Sequence, residues 1–321
     1  MSEPDDLFTL RNHYWLGSYQ LAIAEGSGLG RLPEALRVER DEFIYRSYLA
    51  LGQYSIVLGE IKDDAPPALQ AVRLMAQYLS NPESREIVIE TLKMWLTDPA
   101  SCNNPTVQLL AAGVFAHEGD LKEAVRSVRN GVTMEQTAML AQIYLRMDRV
   151  DLALKQVPFA TANTATTTAT GPLLSITQRL CQVRVLQQAD EDATLTQLVI
   201  AWVHLAQGGK RYQEASYIFD ELIDKFQASP LLLNSSAVAK MHMGEYQEAE
   251  SCLVEAISKS QNDPDTLVNL ICCCRHLDKP ASFVDRYINQ LKAAHPEHPY
   301  VQSLANAETA FDRVAATFAV A

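Results

Sequence analysis

The chain has no stretch near the roughly 18 uninterrupted apolar residues that cross a bilayer. Its first residues, Met1-Ser2-Glu3-Pro4-Asp5-Asp6, are acidic and lack an apolar run, so they read as neither a secretory nor a transit leader. Positive charge is scarce: 27 Lys and Arg face 39 Asp and Glu, a formal charge of −12. That balance argues against a nucleic-acid backbone as partner and against direct docking on anionic lipid. Glycine and proline number only 13 and 14 in 321 residues, too few for a chain disordered by composition. The six cysteines have no framework spacing, and Cys272, Cys273 and Cys274 are adjacent. Neighbours cannot easily bridge, so reduced thiols are expected. No alternating strand pattern of any length is present.

Catalytic and metal-binding sets are also missing. Gly26-Ser27-Gly28-Leu29-Gly30-Arg31 is glycine-rich, but it lacks the third glycine of a dinucleotide loop and follows a helix, not a strand. It reads as a flexible connection between repeats. Three consecutive cysteines point about 100° apart on a helix, so Cys272, Cys273, Cys274 and His276 cannot converge on one ion; packing at a helix interface is expected. His295 and His298 lie in a proline-rich turn and read as solvated. Asp190-Glu191-Asp192 reads as a set of acids ahead of a helix N-terminus. Asn234-Ser235-Ser236 has the glycosylation spacing but falls inside a helical pattern. Trp15, Trp95 and Trp202 fall on apolar faces and are expected in the core. The chain is thus expected to be no enzyme, and to need no cofactor, metal or small-molecule substrate.

What is present is a repeat. Tyr212-Gln213-Glu214-Ala215 returns as Tyr246-Gln247-Glu248-Ala249, 34 residues on, and Phe219 and Pro230 are answered by Leu253 and Pro264 at the same offset. This period belongs to the tetratricopeptide repeat, a helix–turn–helix unit that buries its apolar face only by stacking on copies of itself. The small Ala suits a close helix crossing, with the Tyr filling space at the turn. The same turn is readable at Gly17-Ser18-Tyr19 with Ala22, Gly52-Gln53-Tyr54 with Val57, Gly119-Asp120-Leu121 with Ala124, and Asp148-Arg149-Val150 with Ala153. It occurs again at Lys210-Arg211-Tyr212 and Gly244-Glu245-Tyr246. Helical patterns flank these turns, for example over 42–51 and 69–79. Prolines 66, 67, 82, 105, 230, 264, 280 and 296 stand where one helix should stop or the next begin. A final pair, 265–277 and 281–294, places Phe283 at the small-residue position. One more helix, about 300–318, reads as the polar-faced cap of a solenoid end.

One stretch breaks the period. Residues 158–172 are Thr/Ala-rich and low in complexity, and threonine is a poor helix former. Ala153 and Ala215 stand 62 residues apart with no repeat turn between, and removing the 26 residues 157–182 leaves an ordinary spacing of 36. The expectation is an insertion that loops out of a single helix. The fold class is therefore all-α: a tetratricopeptide-like solenoid, 1–321, coiling as a right-handed superhelix. It divides into degenerate repeats over 1–156, an insertion at 157–182, the clearest repeats over 183–299, and a C-terminal capping helix and tail from 300. The first helix of each pair lines the concave groove of such a superhelix. By register that places Gln197, Ile200 and His204, then Asn234, Val238 and Met241, then Val268, Cys272 and Arg275 on the groove. This set is more apolar than a clamp for charged peptides and suits a long-lived protein partner. A generic adaptor or co-chaperone binding peptide termini is the alternative, and would need clustered Lys, Arg and Asn in the groove.

Several runs are distinctive beyond generic repeats. Residues 38–50 (VERDEFIYRSYLA), Leu69-Gln70-Ala71-Val72-Arg73, 190–198 (DEDATLTQL), Thr266-Leu267-Val268-Asn269-Leu270-Ile271, 286–295 (RYINQLKAAH) and Phe311-Asp312-Arg313 resemble the coatomer epsilon subunit family. The resemblance covers nearly the whole chain; the insertion is the departure, since the family pattern runs from the equivalent of Gln156 straight into Val183. It implies a non-enzymatic subunit of the COPI vesicle coat that grips the C-terminal region of the coatomer alpha subunit in its curved array. It further implies Golgi-to-ER and intra-Golgi transport, and a cytoplasmic location with peripheral attachment, through the complex, to Golgi membranes and COPI vesicles.

Overall fold

The computed structural model describes residues 5–156 and 193–318, which fall into two compact units, Met1–Gly208 and Gly209–Ala321. The described residues form helices, and no strand occurs among them. Unit 1 pairs α1 (Phe8–Trp15) with α2 (Tyr19–Gly28), α3 (Glu34–Ala50) with α4 (Tyr54–Glu60), and α5 (Pro67–Ser80) with α6 (Arg85–Thr97). It continues with α7 (Pro105–His117) and α8 (Leu121–Val128), α9 (Met134–Arg146) and α10 (Val150–Leu154), and then α11 (Thr194–Gln207). Unit 2 holds α12 (Arg211–Phe226), α13 (Pro230–Met243), α14 (Tyr246–Lys259), α15 (Pro264–His276), α16 (Ala281–Ala294) and α17 (Pro299–Phe318). Within each unit the first helices of successive pairs also stack on one another: α3 on α5, α5 on α7, α7 on α9, α9 on α11, and α13 on α15. The proposed insertion at 157–182 and the acids Asp190, Glu191 and Asp192 lie outside the described residues.

The turns explain why a 34-residue ruler works. Each needs one left-handed residue after the first helix. Gly17, Gly52, Gly119 and Gly244 supply it with φ of 78°, 74°, 83° and 83°. Asp148 and Asp278 adopt the same conformation, with φ of 56° and 51°. At all six positions the next amide donates to the carbonyl five residues back, as in Ser18 to His13 (2.8 Å), Glu245 to Lys240 (2.9 Å) and Lys279 to Cys274 (3.1 Å). This is the Schellman closure, which satisfies carbonyls a helix end otherwise leaves open. At the fifth expected turn the left-handed pair is Gly208 and Gly209, and α12 already starts at Arg211.

Helix starts are equally local in origin. Pro67, Pro105, Pro230 and Pro264 occupy the first helical turn, where a missing N–H costs nothing. Asn104, Ser229 and Asp263 cap three of these helices by accepting backbone amides. Thr133 and Gln136 form a reciprocal capping box ahead of α9.

The crossing residues Ala22, Val57, Ala124, Ala153, Ala215 and Ala249 are all fully buried, so the packing supports the assigned register. Two expectations change. Gly26 is not in a connection but inside α2, buried, where an added Cβ would lie 2.7 Å from Ile44. Phe283 does not occupy the final crossing: it is half exposed, and Val284 is buried instead. Lys279-Pro280 adds one residue between the turn and α16, which shifts the buried position by one. In the last helix, α17, Phe311 and Phe318 are 73% and 77% exposed, on the side that Tyr300 and Leu304 occupy, while Gln302, Asn306, Thr309 and Arg313 lie opposite.

Candidate functional site: exposed first-helix faces and a buried ion cluster

In unit 2 the turn tyrosines acquire a specific partner. Tyr212 stacks flat on His242 at 4.6 Å, and Tyr246 stacks on His276 at 4.4 Å. Each tyrosine thus binds the last turn of the next first helix, and His242 and His276 keep the 34-residue offset. Three residues of α15 that sequence grouped as a soft-metal candidate diverge. Cys273 and Cys274 are buried in the core that also holds Leu253, Leu267 and Leu270. Cys273 donates to the Tyr246 carbonyl, and burial pushes its thiol up to about 11. Cys272 points elsewhere and is half-buried.

That half-buried side is the one assigned to the groove. Asn234, Val238 and Met241 on α13, and Val268 and Cys272 on α15, are all half-buried, and Arg275 is exposed. The Asn269 amide donates to Asn234 at 2.9 Å, tying the two rows together. Met241 and Val268 lean on the core, so Val238 and Cys272 are the more open members. Tyr300, at the start of α17, extends the row: its hydroxyl is raised by burial and by neighbouring Cys272, with Arg275 opposing. The least covered line of α13 runs through Leu231, Ser235, Val238 and His242. Leu231 and His242 were not singled out from sequence; the 34-residue echo of His242 in His276 was the available signal. Gln197, Ile200 and His204 lie on α11 in unit 1, half-buried, with Ile200 packed on the core cluster that includes Ala138, Ala141 and Val199.

Unit 1 contains a feature that sequence reading missed. Arg46 of α3 donates to Glu135 of α9 at 2.9 and 3.0 Å and to Glu42, one turn back, at 3.0 Å. Thr106 of α7 donates to the other Glu42 oxygen at 2.8 Å, and Trp15 of α1 donates its indole N–H to Glu135 at 2.8 Å. The rings of Tyr14 and Phe43 lie 4.6 and 5.1 Å from the Arg46 guanidinium. Four first helices therefore meet at one arginine. Burial raises the Glu42 carboxyl above the usual range, against the pull of Arg46 and Thr106. Desolvation works against the Arg46 charge, but Glu135, Tyr14 and Glu42 outweigh it. Trp15 is half-buried and belongs to this closure between α1, α9 and α11. Trp95 and Trp202 are half-buried too. His295 is not simply solvated, for its ring bonds to the Asn262 carbonyl at 2.6 Å.

Comparison with known proteins decides what these helices belong to. A family model described as coatomer epsilon subunit matches residues 3–169 and 178–319. The chain belongs to the coatomer epsilon subunit family. It is 44% identical to coatomer subunit epsilon-1 of Arabidopsis thaliana over 99% of both chains. It is 33% identical to coatomer subunit epsilon of Dictyostelium discoideum over 96% of this chain and 97% of the relative. As a member of that family it is a structural component of the COPI vesicle coat, not an enzyme. It associates with other coatomer subunits and acts in transport as a peripheral protein of the cytosol, Golgi and vesicles. No helix among the described residues is long and apolar enough to cross a membrane.

Solved structures agree on the fold alone. The chain superimposes on the APC/C hetero-tetramer Cut9-Hcn1 with a TM-score of 0.58 at 14% identity, covering 92% of this chain and 54% of that one. A tetratricopeptide repeat protein from Parabacteroides merdae gives 0.54 at 13% identity, over 89% and 97%.

Proposed function

We propose that this coat subunit grips the C-terminal region of the coatomer alpha subunit along its first-helix faces, and so supports COPI assembly in Golgi-to-ER and intra-Golgi transport. The observation that carries the reading is the open row on α13 and α15, where Leu231, Val238 and Cys272 stand half-buried and Arg275 is exposed. Such a row suits an apolar, durable interface better than a transient one. A co-chaperone clamp for peptide carboxylates fits poorly. Asn234 already bonds Asn269, Lys240 is engaged by Asp220 at 3.4 Å, and Arg275 is left as a single cation. The test is co-purification with the alpha subunit's C-terminal region. Val238→Asp should weaken capture about tenfold or more, the effect of losing one central contact, with helicity unchanged. Val268→Asp should weaken it too, with some loss of stability because Val268 also supports the core. Normal capture by Val238→Asp would refute this assignment of the face.

A further inference from the structure

The last helix carries an apolar face that the other described residues leave uncovered. Among the described residues, Tyr300 and Val301 of α17 pack on the unit 2 core, and Lys292 pairs with Glu308 at 3.6 Å. From Phe311 to Phe318 every residue is exposed. Yet Leu304, Ala307, Phe311, Val314 and Phe318 recur at alternating spacings of three and four, which places them on one side of a helix. Phe311 and Phe318 are 73% and 77% exposed, and Val314 is 52% exposed. Ala310 and Ala315 flank the stripe and widen it to an arc of about 140° at 100° per residue. One edge carries Glu308 and Asp312; the other carries Ser303 and Thr317.

We propose that this stripe is a docking helix, and that it seats in an apolar cleft between two helices of another coat subunit, with a basic residue on the cleft's rim facing Asp312. The arc is broader than the narrow seam that pairs two helices, so a cleft covers it better than a single partner helix. The area points the same way. Two phenylalanines about three-quarters exposed offer on the order of 300 Å², well below the roughly 800 Å² per partner of a stable independent interface. A contact of that size counts when a second interface in the same assembly already holds the partners close. A second copy of this chain supplies no such tether, and the net charge of −12 opposes pairing. A lipid surface is a poor match as well, because Arg313 is the sole base in α17.

The proposal rests on the coat-subunit assignment and not on the α13–α15 face, which Val238→Asp tests separately. The probe is the complex of the remaining coat subunits, purified and recombined with this chain carrying benzoylphenylalanine in place of Phe311. Illumination should yield a cross-link into a helical cleft of another coat subunit. Phe311→Asp with Phe318→Asp should raise the rate at which this chain leaves the reconstituted coat about tenfold, and Phe311→Leu with Phe318→Leu should preserve it. Both positions are exposed, so folding is not at stake, and unchanged circular dichroism checks this. A cross-link between two copies of this chain would overturn the proposal, as would flotation with phosphatidylserine vesicles that the Asp pair abolishes. An unchanged release rate without a cross-link would overturn it equally.

Discussion

Replacing Arg46 by methionine tests whether the ion cluster holds unit 1 closed. Methionine keeps much of the side-chain length and the contact with the Tyr14 and Phe43 rings, so the charge is what is lost. Three charge-assisted hydrogen bonds go with it, two to Glu135 and one to Glu42. The two carboxylates fare differently. The Glu135 side chain is 20% exposed and keeps the Trp15 donor, so water can partly replace the arginine. The Glu42 side chain is 9% exposed and keeps only Thr106. Breaking a buried pair from one side costs about 3–5 kcal/mol at neutral pH. Glu42 can escape part of this by taking a proton. Its folded pKa is already raised, chiefly by burial, and without Arg46 it rises further. A raised carboxyl contributes stability that is complete below its unfolded pKa and disappears as pH climbs through the folded value. The deficit of Arg46→Met should therefore shrink as the pH is lowered from 7 towards 5. Urea unfolding followed by tryptophan fluorescence reads this cleanly, since Trp15, Trp95 and Trp202 all lie in unit 1. A loss below about 1 kcal/mol, the scale of a surface pair, with no change between the two pH values would refute the reasoning.

Two further outcomes follow from the repeat geometry. Asp278 stands at a left-handed φ of 51° where Gly244 does the same work; Asp278→Gly should stabilise unit 2 by up to about 1 kcal/mol, against the 1–2 kcal/mol cost of that conformation for an L-residue, read as a shift in the urea midpoint. Ala249→Leu forces three extra carbons into a crossing with no exposed surface and should cost about 1–3 kcal/mol in the same unfolding experiment, and normal stability would mean that the helices do not cross there.

Much of this was open to sequence reading because its causes are local. A glycine or aspartate in the left-handed region, a proline in the first helical turn and an alanine at a crossing each act within a few residues, and the period then repeats them. Where the period slips by one residue, as at Lys279-Pro280, a rigid ruler places Phe283 where Val284 belongs. The Arg46 cluster could not be read that way. Glu42 and Arg46 show a helical i,i+4 spacing, but Glu135 is 89 residues from Arg46 and Trp15 is 120 residues from Glu135. Nothing near Trp15 signals an acid so distant, and only the stacking of first helices brings them together. The exposed stripe of α17 escaped for another reason. Residues 305, 306, 308 and 309 are small or polar and suggest a finished surface, whereas the exposed phenylalanines lie on a different side.

The packing of α1 on α11 has a consequence for how the protein is made. A repeat array with nearest-neighbour contacts alone can fold as it leaves the ribosome, each pair settling on the one before. Here the inner side of α1 keeps a gap until Gln207 has emerged. Roughly 180 residues separate it from the end of α2, and at 5–20 residues per second that interval lasts on the order of 10–35 s. During that time Trp15 has no Glu135 beside it at first, and later has Glu135 but no α11. A nascent chain stalled before Gln207 should present α1 to chaperones, and one stalled after it should not. The first helix synthesised is thus among the last to find its place.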